Sequence, residues 1–171
     1  MAFCGFSIAV VSACVHAESA AVVRKSIQGD YNKSAQAFAH KDVDGAVGMY
    51  DPDCSIYLQN GDAADMMSVR DVLGKMFEVF QKESETTSIK SCAVSTKEGV
   101  ESAKAMVADV KSAVVFTPQG KRLAIRDVIT RRDYWEKTDD GWKIKQSRII
   151  SDIGFVNGKK MTTFDPSDLN E

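Results

Sequence analysis

The sequence predicts a single α+β domain in which helices pack on one face of a curved, mainly antiparallel sheet. Helical patterns dominate the first half of the chain, and a run of strands joined by short turns fills the second half. No repeat, low-complexity tract or Pro/Gly-rich linker interrupts residues 20 to 151, which indicates one continuous fold. A chain of 171 residues, 44% of them apolar, is long enough to bury one core.

Three amphipathic segments predict the helices. Over residues 19–40, apolar side chains recur every three or four positions, which is the period of a helix with one buried face. Asp42 is placed to cap a short second helix, which reaches Tyr50 before Pro52 stops it. A third helix begins at Ser68 with a capping-box-like start and carries the clearest helical pattern in the chain.

Five strands are predicted, and the last three form an antiparallel meander. Residues 117–120 and 138–141 have the composition of tight turns, so the strands that they join should pair as neighbours. From residue 152 the composition becomes polar and irregular, and we expect a loosely held tail over residues 152–171. The predicted strands are 54–59, 88–96, 103–116, 123–137 and 142–151.

Residues 1–17 predict export. The apolar run 6–15 is too short to span a bilayer and matches the apolar region of a secretory signal peptide, with cleavage after Ala17. An alternative is that the segment ending at Cys14 is a bacterial lipobox, in which case a lipid anchor at Cys14 would tether the protein. Both alternatives predict a secreted or periplasmic protein without a transmembrane span, whose folded domain occupies residues 18–151.

Charge and composition exclude several classes of function. The 22 Lys and Arg residues are balanced by 24 Asp and Glu residues without a basic block, so no nucleic-acid partner is predicted. Removal of the leader leaves His40 as the only histidine, at a helix end that favours a cation, so no histidine-based relay is predicted. No metal-ligand cluster or phosphate-binding loop occurs, and no cofactor is predicted. We expect Cys54 and Cys92 to remain unjoined.

Two motifs resemble a known superfamily. Residues 41–50, KDVDGAVGMY, resemble the second-helix signature of the SnoaL-like and ketosteroid-isomerase-like branches of the nuclear-transport-factor-2-like superfamily, and residues 140–144, DGWKI, resemble their final hairpin. The resemblance covers about residues 20–151 and implies a cystatin-like roll, a cone with an internal pocket. It also implies a homodimer that pairs through the open sheet face. Because the superfamily includes binding proteins, isomerases, cyclases, dehydratases and dimerisation modules, the fold does not specify the activity.

The catalytic residues of the resembled steroid isomerases match this sequence only in part. Their general-base Asp falls on Leu58, which cannot accept a proton. Their oxyanion-hole phenol falls near Ser34, one helical turn from Tyr31, and their protonated Asp falls on Asp133. Asp133 is therefore the one catalytic candidate, and its alternative role is a strand carboxylate paired with an Arg. This partial match favours a protein that binds a small organic molecule without catalysis over a cofactor-independent isomerase, cyclase or dehydratase.

Counting outward from the 138–141 turn predicts the register of the last hairpin and, with it, a pocket. Asp133 then faces Gln146 on the inward side of the sheet. Arg131 faces Arg148, and two opposed guanidinium groups repel unless a ligand anion or Asp133 lies between them. The predicted pocket wall comprises Tyr31, Tyr57, Gln59, Phe77, Arg131, Asp133, Trp135, Gln146 and Arg148.

Overall fold

The computed structural model of the chain describes residues 18–161. The leader predicted at residues 1–17 and the part of the predicted tail from residue 162 lie outside these residues. The elements follow one another as α1 (Ala20–Ala39), α2 (Val43–Val47), β1 (Tyr50–Tyr57), β2 (Ala63–Ala64), α3 (Met66–Val79), β3 (Gln81–Lys97), β4 (Val100–Phe116), β5 (Arg122–Thr138), β6 (Gly141–Val156) and β7 (Lys159–Lys160). None of the helices in this part of the chain combines the length and apolar character needed to cross a membrane.

The helices begin at polar caps. The Ser19 side chain accepts from the backbone N–H of Val22, so α1 begins where the sequence predicts. Asp65 accepts from the N–H of Ser68 at 2.7 Å and caps α3, so the predicted start at Ser68 is wrong. The predicted extent of α2 is also wrong, because the helix ends at Val47 and Tyr50 begins β1.

The strands form one sheet in the order β2-β1-β6-β5-β4-β3, with β7 beside β6. Strands β4 to β6 pair as an antiparallel meander, as predicted, and β3 extends it by pairing antiparallel with β4. Strand β1 runs parallel to β6. Strand β6 continues to Val156, beyond the predicted boundary at residue 151, because its backbone pairs with β5 there and Val156 lies opposite Ile125. A polar composition did not prevent strand pairing in this segment.

The helices pack on one face of the sheet, and the space between them is the core. Helix α1 buries Val23, Ile27, Tyr31 and Phe38 against the sheet. The main cluster extends from Val23, Ile27 and Tyr31 to Trp135, and a smaller cluster forms around Phe38 and Phe77. This arrangement confirms the predicted α+β architecture, with helices over a curved antiparallel sheet.

A β-bulge makes the predicted register of the last hairpin wrong. Near the turn the pairing follows the prediction, and Trp135 lies opposite Ile144. Between Trp135 and Tyr134 the register shifts by one residue, which adds an unpaired residue to β6. Beyond this bulge Asp133 lies opposite Ser147 and not opposite Gln146.

Candidate functional site

Asp133 is the centre of a buried hydrogen-bond network between α1 and the sheet. The Tyr31 hydroxyl donates to Asp133 Oδ2 at 2.5 Å, and the Ser147 hydroxyl donates to Oδ1 at 2.6 Å. Arg131 Nε lies 3.1 Å from Asp133 Oδ2. Both carboxylate oxygens of Asp133 are therefore satisfied within the protein, and the carboxylate acts as a structural partner of Arg131.

Arg131 extends this network into the interior of the cone. Its Nη1 donates to the Tyr50 hydroxyl at 2.8 Å, and its Nε lies 3.3 Å from Asp109 Oδ2. The Nε contacts to Asp109 and Asp133 are ion pairs without hydrogen-bond alignment. Burial by itself would lower the pKa of Arg131, but Asp133, Tyr50 and Asp109 together raise it well above its ordinary value. Arg131 is therefore a permanently charged group inside the fold.

Several polar atoms of this network lack hydrogen-bond partners among residues 18–161. They are Arg131 Nε, Arg131 Nη2 and both carboxylate oxygens of Asp109, all of them buried. The Tyr50 hydroxyl accepts from Arg131, but its own hydrogen has no acceptor in this part of the chain. Burial raises the pKa of Tyr50, against the lowering effect of Arg131, so the phenol keeps this hydrogen at neutral pH. The network thus has donors that no acceptor of residues 18–161 satisfies.

A partly open cavity of about 80 Å³ lies beside Arg131 and Tyr50. Arg131 and Tyr50 form one polar part of its wall, and Glu85 and Lys111 form a second, with Lys111 Nζ 3.6 Å from Glu85 Oε1. The remaining wall is mostly apolar and includes Phe38, Val47, Met49, Val69 and Leu73. An apolar enclosure with a few charged and hydroxyl groups is the usual composition of a small-molecule site.

Four of the predicted pocket residues lie in or beside this network. Tyr31 donates a hydrogen bond to Asp133 and Arg131 forms an ion pair with Asp133, while the Trp135 ring packs edge-on against Tyr31 with 5.3 Å between ring centroids. Phe77 lies in the neighbouring core cluster, where it packs against Phe38 of the cavity wall.

The other four predicted residues do not join the network. Arg148 is exposed opposite Arg132, and its guanidinium lies 5.3 Å from the centroid of the Tyr57 ring. The predicted opposition of Arg131 and Arg148 is therefore wrong, because the β-bulge beside Tyr134 moves Arg148 to the outer face. Gln146 pairs with Tyr134 on that face. The exposed Gln59 accepts from the backbone N–H of Asp152.

Sequence reasoning missed most of the polar cavity wall. In β4, Ala105, Val107, Asp109 and Lys111 occupy alternate positions, so the strand period already placed both charged residues on the buried face. Tyr50 was missed because the predicted second helix included it, whereas it begins β1 in the structure. Glu85 was missed because β3 begins at Gln81 and not at residue 88.

The thiols and the histidine considered in the sequence analysis do not line this cavity. Cys54 and Cys92 are free thiols. His40 is exposed at the end of α1, where its Nδ1 lies 2.8 Å from the Gln36 carbonyl oxygen. Among residues 18–161, no group of three or more His, Cys, Asp or Glu side chains is arranged to hold a metal ion.

No protein-family model and no curated protein matches the sequence. Several solved structures have folds similar to that of this chain. A candidate aromatic ring hydroxylase from Novosphingobium aromaticivorans is 18% identical, with a TM-score of 0.57 over 81% of this chain and 96% of that one. A candidate scytalone dehydratase from the same species is 13% identical, with a TM-score of 0.53 over 75% of this chain and 83% of that one. A nuclear transport factor 2-like superfamily protein from Salmonella enterica serovar Typhimurium is 15% identical, with a TM-score of 0.55 over 86% of this chain and 99% of that one.

Proposed function

We propose that this chain, which has the nuclear-transport-factor-2-like fold, binds a small organic molecule in its cone without transforming it. The observation that supports this proposal is the buried, charged Arg131 in the cavity wall, whose Nη2 has no partner within residues 18–161. A buried donor without a partner costs about 1–3 kcal/mol, and more when it is charged. A ligand with a carbonyl, carboxylate or other acceptor group would recover this free energy.

The cavity limits what the ligand can be. With a volume of about 80 Å³, this partly open cavity suits a compact ligand. Apolar atoms of the ligand would contact Val69 and Leu73, and its acceptor would face Arg131 and Tyr50. We therefore propose a compact ligand with one acceptor group and an apolar remainder.

We also propose that the protein is exported and cleaved after Ala17. The backbone nitrogen of Glu18 lies 2.9 Å from Glu101 Oε1, and the Glu18 side chain accepts from Lys137 Nζ at 2.5 Å. Cleavage would turn this nitrogen into a charged α-amino group beside the Glu101 carboxylate. Such an ion pair would hold the new N-terminus against the sheet, which supports the proposed cleavage position.

Native mass spectrometry of the purified protein tests the binding proposal. We expect a retained small molecule in the wild type, with lower occupancy in Arg131→Lys, which loses the guanidinium fork, and in Tyr50→Phe, which loses one hydroxyl. Tyr57→Phe is the matched control, because no hydrogen bond of its hydroxyl is found in residues 18–161 and it lies outside the cavity. The same ligand occupancy in all four proteins, or a wild type without any ligand, would contradict the proposal.

A second candidate function is acid–base catalysis on the bound molecule. The observation in its favour is that the Glu85 carboxylate lies in the same cavity wall as Arg131 and Tyr50. Glu85 would take a proton from the substrate, and the two donors would stabilise the negative charge that develops. If the molecule found by mass spectrometry gains solvent deuterium with the wild type and not with Glu85→Gln, catalysis replaces simple binding. No deuterium gain with the wild type supports binding alone.

A further inference from the structure

A second concave site lies outside the cone, at the ends of strands β3 to β6. It is a groove of about 440 Å³ whose wall includes Lys82, Val114, Arg122, Ala124, Arg126 and Phe155. None of the cavity residues around Arg131 takes part in it. The groove is therefore separate from the proposed cone site and independent of that proposal.

Strand register explains how the groove acquires its lining. Arg122, Ala124 and Arg126 alternate along β5 and so lie on one face of the sheet. Across this face Ala124 pairs with Val114, while Arg126 lies in register with Phe155 of β6. Four residues of strand span about 13 Å, so the two arginines lie at either end of an apolar strip.

The charged residues of 18–161 that line the groove are all positive, and none of the lining residues in this range is Asp or Glu. Lys82, Arg122 and Arg126 are exposed, and none of them forms an ion pair with a carboxylate of residues 18–161. The Arg126 guanidinium lies 5.8 Å from the centroid of the Phe155 ring, a cation–π distance that holds it over the groove. Three cations without counter-charges around one concavity attract an anion.

We propose that this groove binds a free organic acid, with its acidic group at Arg122 or Arg126 and its apolar body on Val114, Ala124 and Phe155. The arginines favour an acidic group, because a guanidinium fork fits a carboxylate or sulfonate. The apolar strip favours an organic acid over an inorganic anion, because an inorganic anion would leave the strip exposed to water. The ligand class is an amphipathic monoanion, and its length is limited by the strip of about 13 Å.

Isothermal titration with octanoate tests the proposal on the full chain. We expect saturable binding of one octanoate, with affinity at least about tenfold weaker in the Arg122→Gln, Arg126→Gln double variant, which corresponds to about 1.4 kcal/mol. Arg148→Gln is the matched control, because it removes an exposed arginine from the neighbouring strand and leaves the groove intact. Neither Arg122 nor Arg126 lines the cavity beside Arg131, so the double variant distinguishes octanoate in the groove from octanoate in that cavity.

Two further probes decide which part of the ligand is recognised. Octan-1-ol has the same apolar body without a charge, and acetate has the charge without the body, so each should bind at least about tenfold more weakly than octanoate. Equal binding of octan-1-ol, equal binding of acetate, or octanoate affinity unchanged in the double variant would overturn the proposal. It is also overturned if octanoate does not bind while vesicles of anionic phospholipid do, because the groove would then contact a membrane surface.

Discussion

Replacing Tyr31 by Phe removes the hydroxyl that links α1 to the Asp133 network. The hydroxyl donates to Asp133 Oδ2 at 2.5 Å, and Tyr31 is fully buried. The ring is retained, so its edge-on contact with Trp135 remains. A hydrogen bond to a charged group contributes about 1.5–3 kcal/mol. Because Arg131 Nε stays 3.1 Å from the same oxygen, the carboxylate keeps an ion pair, and we expect a loss of about 2 kcal/mol.

Urea unfolding followed by tryptophan fluorescence measures this loss, since Trp135 is only 1% exposed in the folded chain. The transition midpoint should fall in Tyr31→Phe with an unchanged slope. In the control Tyr57→Phe, the free energy of unfolding should stay within about 0.5 kcal/mol of the wild type. If Tyr31→Phe also stays within about 0.5 kcal/mol, the reasoning that places Tyr31 and Asp133 in one buried network is refuted.

Four other predictions follow from the structure and the sequence. Burial, and then repulsion from Asp152, raise the pKa of Asp127, so the folded state loses stability as the pH rises above the unfolded value of about 3.9. Asp127→Asn should thus increase the free energy of unfolding at pH 7 but not below about pH 3.9, and equal urea midpoints at pH 7 would contradict this. Arg148→Ala should change the free energy of unfolding by less than about 0.5 kcal/mol because the side chain is exposed. A larger loss would indicate that the Arg148 side chain points into the core. When the protein is expressed in a bacterium with a complete leader, N-terminal sequencing should identify Glu18 as the first residue of the mature chain. A lipidated Cys14 as first residue, or an uncleaved chain in the cytoplasm, would exclude this cleavage. Sedimentation should detect a homodimer, and a monomer at all concentrations would reject it.

The sequence was sufficient for the architecture because local signals agreed with one another. The apolar period of residues 19–40 and the Ser19 cap predicted α1 closely. The turn sequences at 117–120 and 138–141 predicted two of the hairpins that build the meander. These features depend on residues only a few positions apart, so a single sequence is enough to recognise them.

The site was harder to predict because it depends on long-range geometry. The β-bulge beside Tyr134 leaves no mark in the alternation of β6, yet it moves Arg148 to the outer face. The contact between Tyr31 and Asp133 joins residues 102 positions apart, and only the packing of α1 on the sheet creates it. Asp109 is different, because it lies two residues after the buried Val107 in β4, and this alternation in the sequence already places it on the buried face.

A high-resolution electron-density map of the purified protein would show directly whether the cavity beside Arg131 and Tyr50 binds a small organic molecule, as we propose. We expect density larger than a water molecule in this cavity, with an acceptor atom within hydrogen-bond distance of Arg131 Nη2. A cavity that holds only water, or an Arg131 side chain turned away from Asp109 and Asp133, would contradict the proposal.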